Sequence, residues 1–174
     1  ERVLLVKPAA DGYRRKLADL YRREGRAQQA ITHYARLLER VGEDEEIIEM
    51  LALLNQDLGN VDEALKWRSK LVGNDDEAVD VRRLESVVEL QLETGDVNAA
   101  LKSLFKLAMV DTANAYAYYN RVAQIAGDRN DQKILLRARE GMVRADPQDL
   151  QTIAELVEWN VRQNRFKAAR RWVD

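Results

Sequence analysis

Apolar residues recur along this chain at intervals of three and four positions, the spacing that places side chains on one face of an α-helix. Leu17, Leu20 and Tyr21 show this spacing before the first of several Gly or Asn positions. Each apolar stretch runs into such a position and is followed by a second helical stretch. The pattern predicts five helix pairs, at 12–24 and 27–41, 45–57 and 61–72, 78–93 and 97–110, 114–127 and 131–144, and 149–162 and 166–174.

Two markers repeat along the chain with a period near 34 residues. The first is the turn residue, which recurs at intervals of 34, 36, 35 and 34: Gly25, Gly59, Gly95, Asn130 and Asn164. The second comes five residues after each turn: Ala30, Ala64, Ala100, Leu135 and Ala169. Because two independent markers share one period, the sequence predicts an array of helix-turn-helix repeats.

The chemistry of the marker residues supports this interpretation. Gly and Asn tolerate the left-handed backbone conformation with which many helices end. A small residue after the turn lets two helices approach closely, so we expect the four alanines of the second marker to be buried at helix crossings. Polar residues just after the turn can cap the next helix, as at Asn60, Asp62, Asp96, Asn98 and Asp131.

The residues around the first turn resemble the tetratricopeptide repeat (TPR) family. That family combines a Leu-Gly or Leu-Ala pair, an aromatic residue, a turn Gly, an Ala, a second aromatic residue and a closing Pro. The matching residues here are Leu17-Ala18, Tyr21, Gly25, Ala30 and Tyr34, with closing prolines at Pro8 and Pro147. Asn55 and Gln91 depart from the pattern, because they stand where the family has the first aromatic residue.

The resemblance implies an all-α fold, a right-handed α-solenoid of stacked TPR repeats. It divides the chain into the end of a preceding repeat (1–10), four complete repeats (11–44, 45–80, 81–115 and 116–149) and a truncated fifth repeat (150–174). Residues 1–7 should end a second helix and Asp174 should fall inside another, so we expect further repeats on both sides. The apolar residues at the two ends would then lack covering repeats, and we expect end-to-end self-association through them: Leu4, Leu5, Phe166, Trp172 and Val173.

Composition and motifs argue against catalysis. The chain has no cysteine, one histidine and a formal net charge of −2, and it has no nucleotide-binding or nucleophile motif. We interpret His33 as a solvated surface residue, because no partner stands at metal-ligand spacing from it. The acidic runs at 42–46 and 74–77 precede predicted helices, where carboxylates act as caps. We therefore predict no catalytic residue, no cofactor, no metal ion, no nucleic-acid partner and no membrane insertion.

The TPR resemblance implies that the first helix of each pair lines a concave groove that binds a partner. Seven residues are predicted to line this face: Glu46, Glu49, Asp57, Glu85, Glu89, Asn120 and Arg121. Carboxylates crowded on neighbouring helices repel each other, and an opposite charge would relieve that repulsion. We therefore predict a partner protein with a basic surface, and we expect Glu49→Lys with Glu85→Lys to abolish binding without unfolding the chain. The alternative is an ordinary solvated face.

The run at 115–120 supplies a second candidate contact surface. Tyr116, Tyr118 and Tyr119 point in different directions around one helix, so at least one of them should be exposed to a partner. Packing between repeats is the alternative role for these rings.

The leading hypothesis is a non-catalytic scaffold for protein–protein interaction. One alternative is an acidic solenoid surface that guides a cationic polysaccharide during export, and another is a structural spacer. The repeats are similar to the periplasmic TPR regions of PelB-like bacterial exopolysaccharide secretion proteins, a resemblance that implies a bacterial assembly and a periplasmic location. The affinity for a polycation held by carboxylates should fall steeply as the salt concentration rises. The affinity for a protein held by apolar contacts should depend on salt much less.

Overall fold

The computed structural model describes residues 10–72 and 79–173, and every regular element within them is a helix. This part of the chain contains ten helices: α1 (Asp11–Arg23), α2 (Ala27–Val41), α3 (Glu45–Asp57), α4 (Val61–Lys70), α5 (Val81–Glu93), α6 (Val97–Val110), α7 (Ala115–Asp128), α8 (Gln132–Ala145), α9 (Leu150–Arg162) and α10 (Phe166–Arg170). The predicted all-α fold is confirmed. No helix in the described ranges is long and apolar enough to cross a membrane.

The chain divides into two compact units, residues 1–97 (unit 1) and residues 98–174 (unit 2). In unit 1, α1 packs against α2 and α3 against α4, and each second helix also contacts the next first helix. In unit 2, α7 packs against α8 and α9 against α10, while α8 contacts α9. Consecutive pairing within each unit is the arrangement that the repeat period predicts.

Helix bounds follow the predicted ones closely, and α2, α3 and α6 match them at both ends. Helix α5 begins at Val81 and not at position 78, because the Asp80 side chain accepts a hydrogen bond from the Arg83 backbone N–H at 3.2 Å and fixes the helix start. Helices α4 and α10 end earlier than predicted, at Lys70 and Arg170. The predicted helix end at 1–7, the acidic run at 74–77 and Asp174 lie outside the described residues.

All five predicted turn residues adopt the left-handed conformation. The φ angles are +71° at Gly25, +72° at Gly59, +79° at Gly95, +55° at Asn130 and +58° at Asn164. At the first turn, Arg26 N–H donates to the Tyr21 carbonyl at 2.8 Å and Gly25 N–H donates to the Arg22 carbonyl at 3.1 Å. This pair of bonds is the Schellman motif, which satisfies carbonyls that the helix end leaves open.

Acidic residues cap several helices through their side chains. Asp44 accepts a hydrogen bond from Ile47 N–H at 3.1 Å, and Asp131 accepts one from Ile134 N–H at 3.1 Å. The expected role of the acidic run at 42–46 and of Asp131 is thereby confirmed. Asn60 precedes α4 but makes no side-chain cap. Its amide donates instead to the Asn55 side-chain carbonyl at 3.2 Å.

The predicted alanines are buried in both units. Ala30, Ala64 and Ala100 have no exposed surface, and Ala169 is 6% exposed. Their predicted burial is confirmed. In unit 1, Ala30 belongs to a cluster that also includes Ala18, Tyr21, Tyr34, Leu37, Ile47, Leu51 and Leu54.

Asn55 and Gln91, which stand where the family has an aromatic ring, differ in how their amides are satisfied, because within the described residues the buried Gln91 Oε1 makes no hydrogen bond. Asn55 is buried, and its Nδ2 donates to the Leu51 carbonyl at 2.7 Å. Asn160, four residues before the last turn, makes the same bond to the Leu156 carbonyl at 2.8 Å. Each asparagine thus bonds one turn back along its own helix, which allows a polar group to occupy a buried site.

Apolar residues near the end of the described chain remain exposed. Phe166 and Val173 are largely exposed and Trp172 is partly buried, whereas Leu4 and Leu5 lie outside the described residues. End-to-end self-association through these residues stays a prediction.

Candidate functional site

Carboxylates on the first helices of unit 1 are engaged by arginines of the same unit. Arg15 on α1 reaches two of them: its Nη1 lies 2.6 Å from Glu46 Oε2, and its Nη2 lies 2.6 Å from Asp44 Oδ2. Farther along, Arg83 on α5 donates to Glu45 at 2.7 Å. These ion pairs join α1 to α3 and α3 to α5. The acidic run therefore links consecutive first helices as well as capping α3.

Glu49 has a structural partner that the residue pattern does not predict. Its carboxylate accepts a hydrogen bond from Arg68 on α4, and the Arg68 side chain is only 12% exposed. The second helix of the repeat thus holds the first through a charge-assisted hydrogen bond. Glu49 is therefore unsuitable for a charge reversal meant to leave the fold unchanged.

Glu49→Lys is expected to lower the free energy of unfolding by about 1–2 kcal/mol, because it removes a charge-assisted hydrogen bond and sets a second cation against Arg68. Glu49→Gln keeps an acceptor and should cost less. Urea unfolding followed by circular dichroism measures both variants. A Glu49→Lys variant as stable as the wild type would show that this pair does not stabilise the repeat.

The remaining predicted acidic residues, Asp57, Glu85 and Glu89, lie on the first helices α3 and α5 of unit 1. Asp57 ends α3 and is exposed. Glu85 and Glu89 are exposed on α5, four positions apart. That spacing places them on one face of the helix. Whether this face binds a partner stays a prediction.

Unit 1 contains a cavity between α1 and α3. Its volume is about 190 Å³, and its lining residues are Arg15, Asp19, Arg22, Tyr34, Glu46, Ile47 and Met50. The Tyr34 hydroxyl donates to Asp19 at the wall. Burial and this hydrogen bond raise the pKa of Tyr34 to about 12.

Unit 2 contains a larger cavity, of about 470 Å³, between α7, α8 and α9. Its lining residues are Tyr116, Asn120, Ala123, Gln124, Gly127, Asp128, Leu135, Arg139, Met142, Asp149, Gln151, Thr152 and Glu155. The volume falls in the range of small-ligand sites. Of the predicted site residues, Tyr116 and Asn120 line it.

A hydrogen bond between Tyr116 and Asp149 closes one side of the unit 2 cavity. The tyrosine hydroxyl donates to Asp149 Oδ2 at 2.8 Å, while Asp149 Oδ1 accepts the Thr152 backbone N–H at 3.1 Å and caps α9. Hydrogen bonds from Thr152 and, to a smaller extent, from Tyr116 lower the pKa of Asp149. Across the cavity, Arg139 Nη2 lies 2.7 Å from Glu155 Oε2.

Asp149→Ala is expected to destabilise unit 2 by about 1 kcal/mol, because α9 loses its cap. The folded-state pKa of Asp149 is depressed, so its ionised form contributes stability above the unfolded-state pKa, and that contribution is lost as pH falls through the folded-state pKa. Asp149→Asn keeps a capping oxygen but cannot titrate. Urea unfolding at pH 7 and at pH 3 should show a smaller pH effect in Asp149→Asn than in the wild type. Equal pH effects would exclude this role for Asp149.

The three neighbouring tyrosines differ from the expectation that at least one would be exposed. Tyr118 is buried, and its hydroxyl donates to Asp111 at 3.1 Å. Tyr119 is half-buried against Phe105 and Tyr116 is half-buried at the cavity. The expectation that at least one of the three would be exposed is wrong, because Tyr118 is buried and Tyr116 and Tyr119 are half-buried.

His33 and the carboxylates give no metal site within the described ranges. The His33 ring stacks on Tyr21 with ring centroids 5.5 Å apart, so it is partly covered and not fully solvated. No group of three histidine, cysteine or carboxylate side chains able to hold a metal ion occurs in the described part of the chain.

Residues 11–54 match a family model of the tetratricopeptide repeat. No curated protein sequence matches the chain. The matched segment contains the first predicted repeat and the beginning of the second.

Solved structures match over most of the chain. A fragment of MamA (41-end) from Desulfovibrio magneticus RS-1 is 16% identical, with 94% of this chain and 90% of that one covered and a TM-score of 0.52. YrrB, "a TPR protein with an unusual peptide-binding site", is 12% identical, with 87% and 77% covered and a TM-score of 0.55. A tetratricopeptide repeat protein from Parabacteroides merdae ATCC 43184 is 18% identical, with 98% and 66% covered and a TM-score of 0.53.

At these identities the likeness shows the fold alone, which is that of TPR solenoid proteins. These matches give no support to the resemblance to PelB-like secretion proteins. That resemblance and the periplasmic location stay predictions.

Proposed function

We propose that this chain is a non-catalytic scaffold that binds another protein through cavities between consecutive first helices. One observation carries the proposal: each unit has a cavity at the same place relative to the repeat. In unit 1 it lies between α1 and α3, and in unit 2 it is lined by α7 and α9 with α8. A recurring cavity along a repeat array suits an extended partner segment better than one compact small molecule.

The structural likeness is consistent with this function. YrrB is described as having an unusual peptide-binding site, and its structure shares the fold of this chain. That likeness extends to the fold and not to individual residues. The binding residues proposed for this chain therefore come from its own two cavities.

Charge alone is a weak basis for recognition in unit 1. Arginines of the same unit already engage Glu46 and Glu49. A cationic polymer attracted to those two carboxylates would compete with Arg15 and Arg68. For this reason we favour a protein partner held by hydrogen bonds and apolar contacts over a polymer held by charge.

Site-specific photo-crosslinking tests the proposal. A photoreactive phenylalanine analogue replaces Arg22 or Gln124 at the cavities, and Lys102 or Gln132 on second helices provides matched exposed controls. We expect one partner protein to crosslink from the cavity positions and not from the controls, and the purified partner to bind the chain. Equal crosslinking from all four positions, or specific binding of a cationic polysaccharide alone, would overturn the proposal.

A further inference from the structure

We infer that the unit 2 cavity receives a lysine side chain from an extended segment of the partner. This inference rests on the proposed function and names the ligand at one of its two cavities. Free carboxamides, an excess of carboxylate and an apolar wall meet in this cavity.

Three carboxamides line the unit 2 cavity. Asn120 and Gln124 lie four positions apart on α7, and Gln151 lies on the first turn of α9. Within the described ranges, none of the three side chains makes an intramolecular hydrogen bond. A carboxamide offers donors and an acceptor, and so does each peptide group of an extended chain. These side chains can therefore bind main-chain groups whatever the neighbouring sequence is.

Negative charge predominates around the cavity. Three carboxylates line it, those of Asp128, Asp149 and Glu155, against one guanidinium, that of Arg139. Arg139 is already paired with Glu155 at 2.7 Å. Asp128 is exposed at the end of α7 and makes no ion pair in the described part of the chain. The uncompensated charge favours a cation.

At Asp149 and Glu155, though not at Asp128, occupied carboxylate oxygens favour an ammonium group over a guanidinium group. Both oxygens of Asp149 already accept hydrogen bonds, and one oxygen of Glu155 binds Arg139. A planar guanidinium binds best to two free oxygens of one carboxylate, whereas the three donors of an ammonium group can be shared among separate acceptors.

An apolar wall fits the aliphatic part of a lysine side chain. Ala123, Leu135 and Met142 line the cavity beside the polar groups. The methylene groups of lysine pack on such surfaces while the charged end reaches polar atoms. An amino sugar carries its amine directly on a polar ring and lacks this aliphatic stem.

An NMR titration of the complete chain tests the inference. The probe is a blocked heptapeptide, acetyl-Gly-Ser-Gly-Lys-Gly-Ser-Gly-amide. We expect saturable shifts of the side-chain amide signals of Asn120, Gln124 and Gln151, with a Kd on the order of 0.1–1 mM. The same peptide acetylated on its lysine should bind at least about tenfold more weakly, since the cation is lost. Equal binding of both peptides, or no saturable shift at these signals, overturns the inference.

Matched variants and competing ligands sharpen the result. Asp128→Asn should weaken binding at least about threefold, and Asp62→Asn, an exposed carboxylate on α4 in unit 1, should leave it unchanged. An arginine peptide or a glucosamine oligomer that binds the same amides as tightly as the lysine peptide overturns the assignment to lysine. Cavity-specific crosslinking of a partner without lysine binding would refute this inference and leave the proposed function standing.

Discussion

Replacing Gly141 by alanine is expected to lower the free energy of unfolding of unit 2 by about 1–3 kcal/mol. Gly141 is buried on α8, and a Cβ atom there would lie 2.5 Å from Tyr119 Cδ1 and 2.7 Å from Tyr119 Cγ. These atoms sit near the base of the ring, which packs edge-on to Phe105, so the ring or α8 itself must move. Urea unfolding of the purified variant measures the loss.

A matched glycine and a second-site change make this prediction specific. Gly127 on α7 also lies within a helix, but a Cβ there meets no atom within 4 Å. Gly127→Ala should therefore stabilise the unit by up to about 1 kcal/mol, since alanine favours helix more than glycine does. In a Tyr119→Ala background, Gly141→Ala should become neutral or stabilising. Equal destabilisation with and without the Tyr119 ring would contradict a steric clash.

Ala64→Leu is expected to destabilise unit 1 by about 1–3 kcal/mol. Ala64 lies on α4 with no exposed surface, so a larger side chain must push neighbouring helices apart. The control is Ser69→Leu, which adds an apolar side chain at an exposed position of the same helix and should change stability by less than about 0.5 kcal/mol. Thermal unfolding compares the two variants. An unchanged melting temperature in Ala64→Leu would show that this alanine does not set the helix spacing.

Local chemistry made the turns and helix bounds predictable from the sequence. Gly25 and Asn164 predict a left-handed helix end because glycine and asparagine tolerate a positive φ. Both residues have a positive φ in the structure. Burial of Ala64 followed from its fixed distance after the turn. Each of these signals needs only residues within one repeat, so a single sequence was sufficient to place them.

Contacts between side chains far apart in the sequence could not be predicted in the same way. Glu49 and Arg68 are 19 positions apart, and Tyr116 and Asp149 are 33 apart. Nothing in the residue pattern says which arginine reaches which carboxylate. The one available signal was Asp149 itself, which stands three positions before Thr152 at a helix start, a typical capping arrangement.

The Gly141–Tyr119 contact illustrates the same limit. A glycine inside a predicted helix is a recognisable signal of close packing, but the sequence does not say what packs there. Only the crossing of α7 and α8 brings the Tyr119 ring onto Gly141. The repeat period of the sequence predicts where the helices lie. It does not predict which side chains contact each other in the interior.

The turns that reverse the chain have a consequence for how such a protein can change over evolutionary time. After the left-handed residues Gly25, Gly59, Asn130 and Asn164, the next residue donates its backbone N–H to a carbonyl five residues back in the preceding helix, at 2.8 Å: Arg26, Asn60, Asp131 and Arg165. The hydrogen bond that closes each of these turns thus joins residues only five positions apart. Duplication or deletion of a gene segment that runs from one turn to the equivalent position of another would therefore leave these turn hydrogen bonds intact. Recombination could then change the number of repeats without requiring new turn sequences.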